Sequence, residues 1–160
     1  MQIFPDEQEF YKLAQLGNLI PVYADLMADF ETPVSVYAKL KAAGEPAYLL
    51  ESIEDGAHLN RYSFIGCQPR KTFQMFYGGE VRVKHRDGSV ETFPCPADPL
   101  TVIEDEMRAY KPVKLPGMPR FIGGAVGYLS YEYIHCVEPT VPLAQNDVLG
   151  MPMAHFLISD

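Results

Sequence analysis

Apolar residues recur at Phe10, Leu13, Ala14 and Leu16, the spacing that lines one face of a helix. Asp6 stands ahead of them as an N-cap with Glu9 three residues on, and Gly17 follows as a stop, so a first helix is predicted. The stretch "LIPVYAD" then reads as a short strand. Thr32 and Pro33 take the N-cap and first position of a second helix, with Val34, Val36, Tyr37 and Leu40 as its apolar side and Gly44 as its end.

From Ala47 to Phe93 the period shortens to two. "AYLLES", "RYSFIG", "KTFQMFY", "EVRVKHR" and "SVETF" are rich in β-branched and aromatic residues and separated by turn residues. Gly78-Gly79 and Asp87-Gly88 predict two-residue hairpin turns, and with them an antiparallel meander of the last three strands. In "EVRVKHRDGSVE" charge alternates with valine, so one face of that hairpin is expected to meet water.

After the proline-rich "PCPADP" a third helix is predicted, capped by Asp98 with Pro99 at its first position. Leu100, Ile103, Met107 and Tyr110 form its apolar stripe, and Glu104, Asp105 and Glu106 its solvated side. "KPVKLPGMPR" reads as an extended linker, "FIGGAVGYLSYEYIHCVE" as a glycine-interrupted strand entering a short helix, and "MPMAHFLISD" as a strand. Nothing polar follows that strand, so the chain is expected to be cut from a longer one there, leaving a bare strand in search of a partner. A natural terminus can have the same look.

A chain of 160 residues fits one domain and buries about two-thirds of the surface its unfolded form exposes. Acidic residues outnumber basic ones by 21 to 13, a net charge of -8. That balance repels phosphate backbones, so neither nucleic acid nor an anionic membrane is an expected partner. The apolar runs are far shorter than the roughly 20 residues that span a bilayer, and "MQIFPDEQEF" places acids where a signal peptide carries positive charge; a cytoplasmic protein is expected. Cys67, Cys95 and Cys136 lack any Cys-x-x-Cys spacing and are expected as free thiols, without disulfide or zinc roles. His58 in a loop and His85 in the charged hairpin read as surface residues.

Catalytic patterns are missing. The chain has no Gly-x-Ser-x-Gly elbow, no Gly-Lys-Ser/Thr phosphate loop and no His-Glu-x-x-His. "GGAVGYL" has the glycines of a phosphate cradle without the full order or a βαβ setting, and the better reading is close approach of a neighbouring strand. The run Glu104-Asp105-Glu106 fans outward on a helix, where a hard cation needs converging oxygens. The cluster Glu51, Ser52 and Arg61 is different. A carboxylate can hold an ammonium group, a guanidinium can hold a carboxylate through two hydrogen bonds, and a hydroxyl can serve either, so these residues could recognise a free amino acid. Spacing alone equally allows, and favours, an internal Glu51 to Arg61 ion pair with Ser52 capping the turn.

"LIPVYADLMADFETPVSVYAKL", "YLLES", "RYSFIG" followed by Pro69, and "FIGGAVGYLSYE" resemble, in that order, the N-terminal region of anthranilate synthase component I. The resemblance covers almost all of residues 1–160. Aminodeoxychorismate synthase component I shares the architecture, but "LLES" joined to "RYSFIG" is more similar to the anthranilate enzyme.

The resemblance implies an α/β (α+β) fold in which antiparallel sheets pack as a sandwich with flanking helices, forming the N-terminal part of a larger two-segment protein. It implies an intact enzyme that turns chorismate and ammonia, delivered by a glutamine amidotransferase subunit, into anthranilate and pyruvate for tryptophan synthesis. The catalytic groups and the ligands for Mg²⁺ belong, in that family, to a C-terminal chorismate-binding domain with no counterpart in this segment. The segment alone is therefore expected to be inactive, with no catalytic residue and no cofactor of its own. What carries over is the family's feedback site for L-tryptophan, to which Leu50, Glu51 and Ser52 correspond, with Arg61 as the match for a downstream basic residue.

Overall fold

The computed structural model describes residues 1–51, 62–143 and 147–159. Helix α1 spans Glu7–Leu13, and the predicted cap is in place: Asp6 Oδ1 accepts from the Glu9 N–H at 2.8 Å. Helix α2 spans Pro33–Leu40 behind a reciprocal capping box. Thr32 Oγ1 accepts from the Ser35 N–H at 3.1 Å and Ser35 Oγ from the Thr32 N–H at 2.9 Å, which satisfies two of the donors a helix start leaves open.

Strands β1 (Ala47–Leu50) and β2 (Phe64–Cys67) form an antiparallel ribbon with Leu50 opposite Phe64. Strands β3 (Lys71–Met75), β4 (Glu80–His85), β5 (Val90–Pro94), β6 (Gly124–Leu129) and β7 (Ala154–Ser159) make a second antiparallel sheet in the order β5-β4-β3-β7-β6. The α+β class is as expected. The last strand is not bare: β7 lies between β3 and β6 and pairs with both, Phe156 facing Phe73 on one side and Gly127 on the other. Sequence proximity cannot reveal this, because both partners of β7 are distant in the chain.

Both hairpin turns fall where predicted, but each is a three-residue loop with one positive φ. Gly78 (φ 60°) sits in a turn closed by the Gly79 N–H on the Phe76 carbonyl, and Gly88 (φ 86°) in one closed on the His85 carbonyl. Gly79 and Asp87 keep negative φ, so one left-handed residue per turn suffices.

Helix α3 (Leu100–Arg108) covers one face of the large sheet. Ile103 joins Phe73, Met75, Val81, Val83, Ala154 and Ile158 in the core, with Met107 packed at its margin. Alternation along β4 buries Val81 and Val83 and leaves Arg82 and Lys84 in water, as the pattern predicts. At the start of α3 Pro99 is buried, and Asp98 serves as cap by accepting from the Leu100 N–H at 3.0 Å.

The strand expected in "LIPVYAD" is reduced to two isolated bridges, Phe4 with Tyr23 and Leu19 with Pro112. Pro21 and Pro112 have no N–H to extend a ladder, so pairing stops where it begins. Asn18 anchors this stretch to the linker after α3: its Nδ2 donates to the Ala109 carbonyl at 2.8 Å and its Oδ1 accepts from the Lys111 N–H at 2.6 Å.

The solvated side predicted for α3 is also only partly so. Glu104 and Asp105 are exposed and pair with Arg108, both at 2.9 Å. Glu106 turns inward instead, where Lys71 Nζ lies 2.7 Å from its Oε2 and the Tyr110 hydroxyl donates to its Oε1 at 2.8 Å.

Candidate functional site

The sequence places its binding residues around the connection between β1 and β2. Leu50 ends β1 and is 43% exposed, and Glu51 follows it, exposed. Ser52 and Arg61, with His58 between them, lie outside the described residues. Leu50 and Glu51 are the two predicted site residues among the described ones.

Local sequence explains how the ribbon holds its end. Tyr48 and Gly66 are cross-strand partners, and a Cβ at Gly66 would lie 2.2 Å from the Tyr48 ring. Glycine in "RYSFIG" therefore lets Tyr48 lie across the ribbon, two pairs from Leu50 and Phe64 and on the same side. Helix α2 packs beside both strands.

An aromatic group lies at this end of the ribbon. The Phe64 ring meets Phe121 edge-on, with centroids 5.3 Å apart at 88°, and Tyr62 lies 6.1 Å from Phe64. Tyr62 is itself 43% exposed. Edge-to-face rings present both a positive edge and a negative face, so an apolar or aromatic side chain could settle among them beside Leu50. Sequence reasoning missed Phe121. It opens the matched segment "FIGGAVGYLSYE", but no local period links it to Phe64.

The other chemistry considered resolves into packing. Gly127 in "GGAVGYL" faces β7, where a Cβ would come 1.9 Å from the His155 carbonyl oxygen, so this glycine serves close strand approach as expected. Among the described residues no three His, Cys, Asp or Glu side chains converge on a metal position. Cys67, Cys95 and Cys136 are free thiols, as expected. Among the described residues no helix is long and apolar enough to cross a membrane.

Two shallow hollows lie away from the ribbon's end. One is bordered by Glu45, Pro69, Thr72, Lys84 and Arg86, the other by Tyr77, Cys95, His135, Cys136 and Met153. Neither includes Leu50 or Glu51.

Comparison with known proteins adds what the geometry cannot. The chain is 39% identical, over 99% of its length, to anthranilate synthase component 1 of Synechocystis sp., of which it covers 32%. It is 40% identical over 97% of its length to the same component of Pseudomonas putida and 35% identical over 100% to that of Saccharomyces cerevisiae, covering 31% of each. No family model matches. The chain thus spans about a third of the length of these curated relatives, as an N-terminal region would, and the resemblance in its four segments extends along nearly all of it.

Proposed function

We propose that this chain, which corresponds in sequence to about a third of anthranilate synthase component 1, is the N-terminal, L-tryptophan-sensing segment of such an enzyme. The near end-to-end match carries this reading. The intact cytoplasmic protein would convert chorismate and ammonia to anthranilate and pyruvate, the ammonia released from glutamine by an amidotransferase subunit. On this reading Mg²⁺ and the chorismate pocket would belong to a C-terminal catalytic domain outside residues 1–160.

The sensing role rests on the ribbon's end. Glu51 would accept the ammonium group of tryptophan, Arg61 its carboxylate, and Ser52 would orient one of them. Leu50, with the rings of Tyr62, Phe64 and Phe121 nearby, would border the indole, and the rest of the wall would come from the catalytic domain. Inhibition then works by population shift: tryptophan favours an arrangement of the two parts that opposes the active state, and its effect is bounded by its differential affinity for the two.

A second reading makes the segment a scaffold without a ligand. The exposed apolar side chains of Leu26, Met27 and Phe30, neighbours in the chain, support it, since a contiguous apolar surface invites cover by further protein. An aminodeoxychorismate synthase origin has less support, because the relatives described above carry the anthranilate name.

The test of the catalytic part is direct. The full-length protein containing this segment should form anthranilate from chorismate and ammonia with Mg²⁺, and residues 1–160 alone should form none. A product that keeps the enolpyruvyl group and releases no pyruvate, as aminodeoxychorismate does, would replace the proposed pathway with the other.

A further inference from the structure

The two edges of the large sheet are built differently. Strand β5 forms one, exposed along its length and carrying Glu91 and Pro94, and charge and proline blunt an edge against further pairing. Strand β6 forms the other. Its residues, Gly124–Leu129, include neither a charge nor a proline.

The register shows what β6 leaves open. The Ser130 N–H donates to the Met153 carbonyl at 2.7 Å, and the ladder continues from there with Tyr128 opposite His155 and Val126 opposite Leu157. In an antiparallel pair every second residue bonds across, and those between face away. Ala125, Gly127 and Leu129 therefore turn their N–H and C=O groups outward, and among the described residues no strand pairs with β6 on that side. Gly127 and Leu129 are exposed.

We propose that β6 is a docking edge that takes a further β-strand from the catalytic part of the longer polypeptide. The inference rests on the reading of this chain as a segment of anthranilate synthase component 1. Because the chain covers 31–32% of the relatives it matches, a polypeptide of that kind holds ample further sequence to supply a strand. A second copy is the poorer occupant, since each carries a net charge of -8 and like charges oppose association. The strand itself should be apolar on both faces. Ala125 packs at the margin of the core on one face of β6, and Tyr128 meets the His155 ring edge-on on the other, so a neighbour about 4.8 Å away has apolar or aromatic side chains beside it on either face.

The test is hydrogen exchange at single-residue resolution in the full-length protein, with anthranilate formation measured on the same sample. The outward amides of Ala125, Gly127 and Leu129 should be protected about a hundredfold or more over their unstructured rates. Leu129→Pro removes one outward donor and no bond to β7. Protection at Ala125 and Gly127 should then fall at least tenfold, while His155 and Leu157, whose N–H groups bond to β6, keep theirs. Outward amides that exchange freely in a protein that makes anthranilate would overturn the docking edge and leave the assigned reaction standing. Protection lost on dilution would give the edge to a second copy, and unchanged protection in Leu129→Pro would assign it to something other than strand pairing; either result also overturns the inference.

Discussion

Lys71 Nζ and Glu106 Oε2, 2.7 Å apart, join the first residue of β3 to the last turn of α3. Both side chains are largely buried, the Lys71 stem at the edge of the core face and Glu106 under the Tyr110 hydroxyl. Burial alone would raise the Glu106 pKa, but the hydrogen bonds from Lys71 and Tyr110 and the charges of Lys71 and Arg70 outweigh it, and the carboxyl is lowered.

Glu106→Gln should therefore destabilise the chain by about 1–3 kcal/mol at neutral pH, the range for hydrogen bonds to charged groups that lose their partner. A carboxyl with a depressed folded pKa contributes its stability above the unfolded carboxylate pKa and loses it as pH falls through the folded one. Urea midpoints of wild type and variant should thus converge in acid. A gap that stays constant with pH would show that charge at Glu106 is not what matters.

Gly127 and Gly78 separate two reasons for glycine. A Cβ at Gly127 would lie 1.9 Å from the His155 carbonyl oxygen, whereas Gly78 has open space around it and needs only its positive φ. Gly127→Ala should cost about 3 kcal/mol or more by forcing β6 from β7, and Gly78→Ala about 1 kcal/mol. Chemical denaturation gives both values; a Gly127→Ala variant of wild-type stability would remove close approach as the reason for the motif.

Thr32→Ala should cost about 1 kcal/mol by removing one side of the capping box. Because α2 packs beside the β1–β2 ribbon, amide exchange in Tyr48 and Leu49 should rise with that in α2. Exchange confined to α2 would mean that the helix does not steady the ribbon.

The features legible in sequence are those settled within a few residues. Asp6, Thr32 and Asp98 cap helices, and Gly78 and Gly88 turn hairpins, because each acts on backbone groups next to it. The inward turn of Glu106 was hidden, since its partner Lys71 is 35 positions away. The central place of β7 was hidden for the same reason, its neighbours β3 and β6 being set by nonlocal pairing. At the candidate site the motif pointed to Leu50 and Glu51, while Phe121 reaches Phe64 across a distance no local pattern encodes.

The most direct measurement is anthranilate formation by the full-length protein, titrated with L-tryptophan, in wild type and in Ser52→Phe. The account predicts inhibition of the wild type and its relief by at least tenfold in the variant, with turnover retained, because a bulky ring would fill the pocket without touching the chemistry. A wild type indifferent to tryptophan, or a variant inhibited as strongly as the wild type, would contradict a tryptophan site at the end of β1.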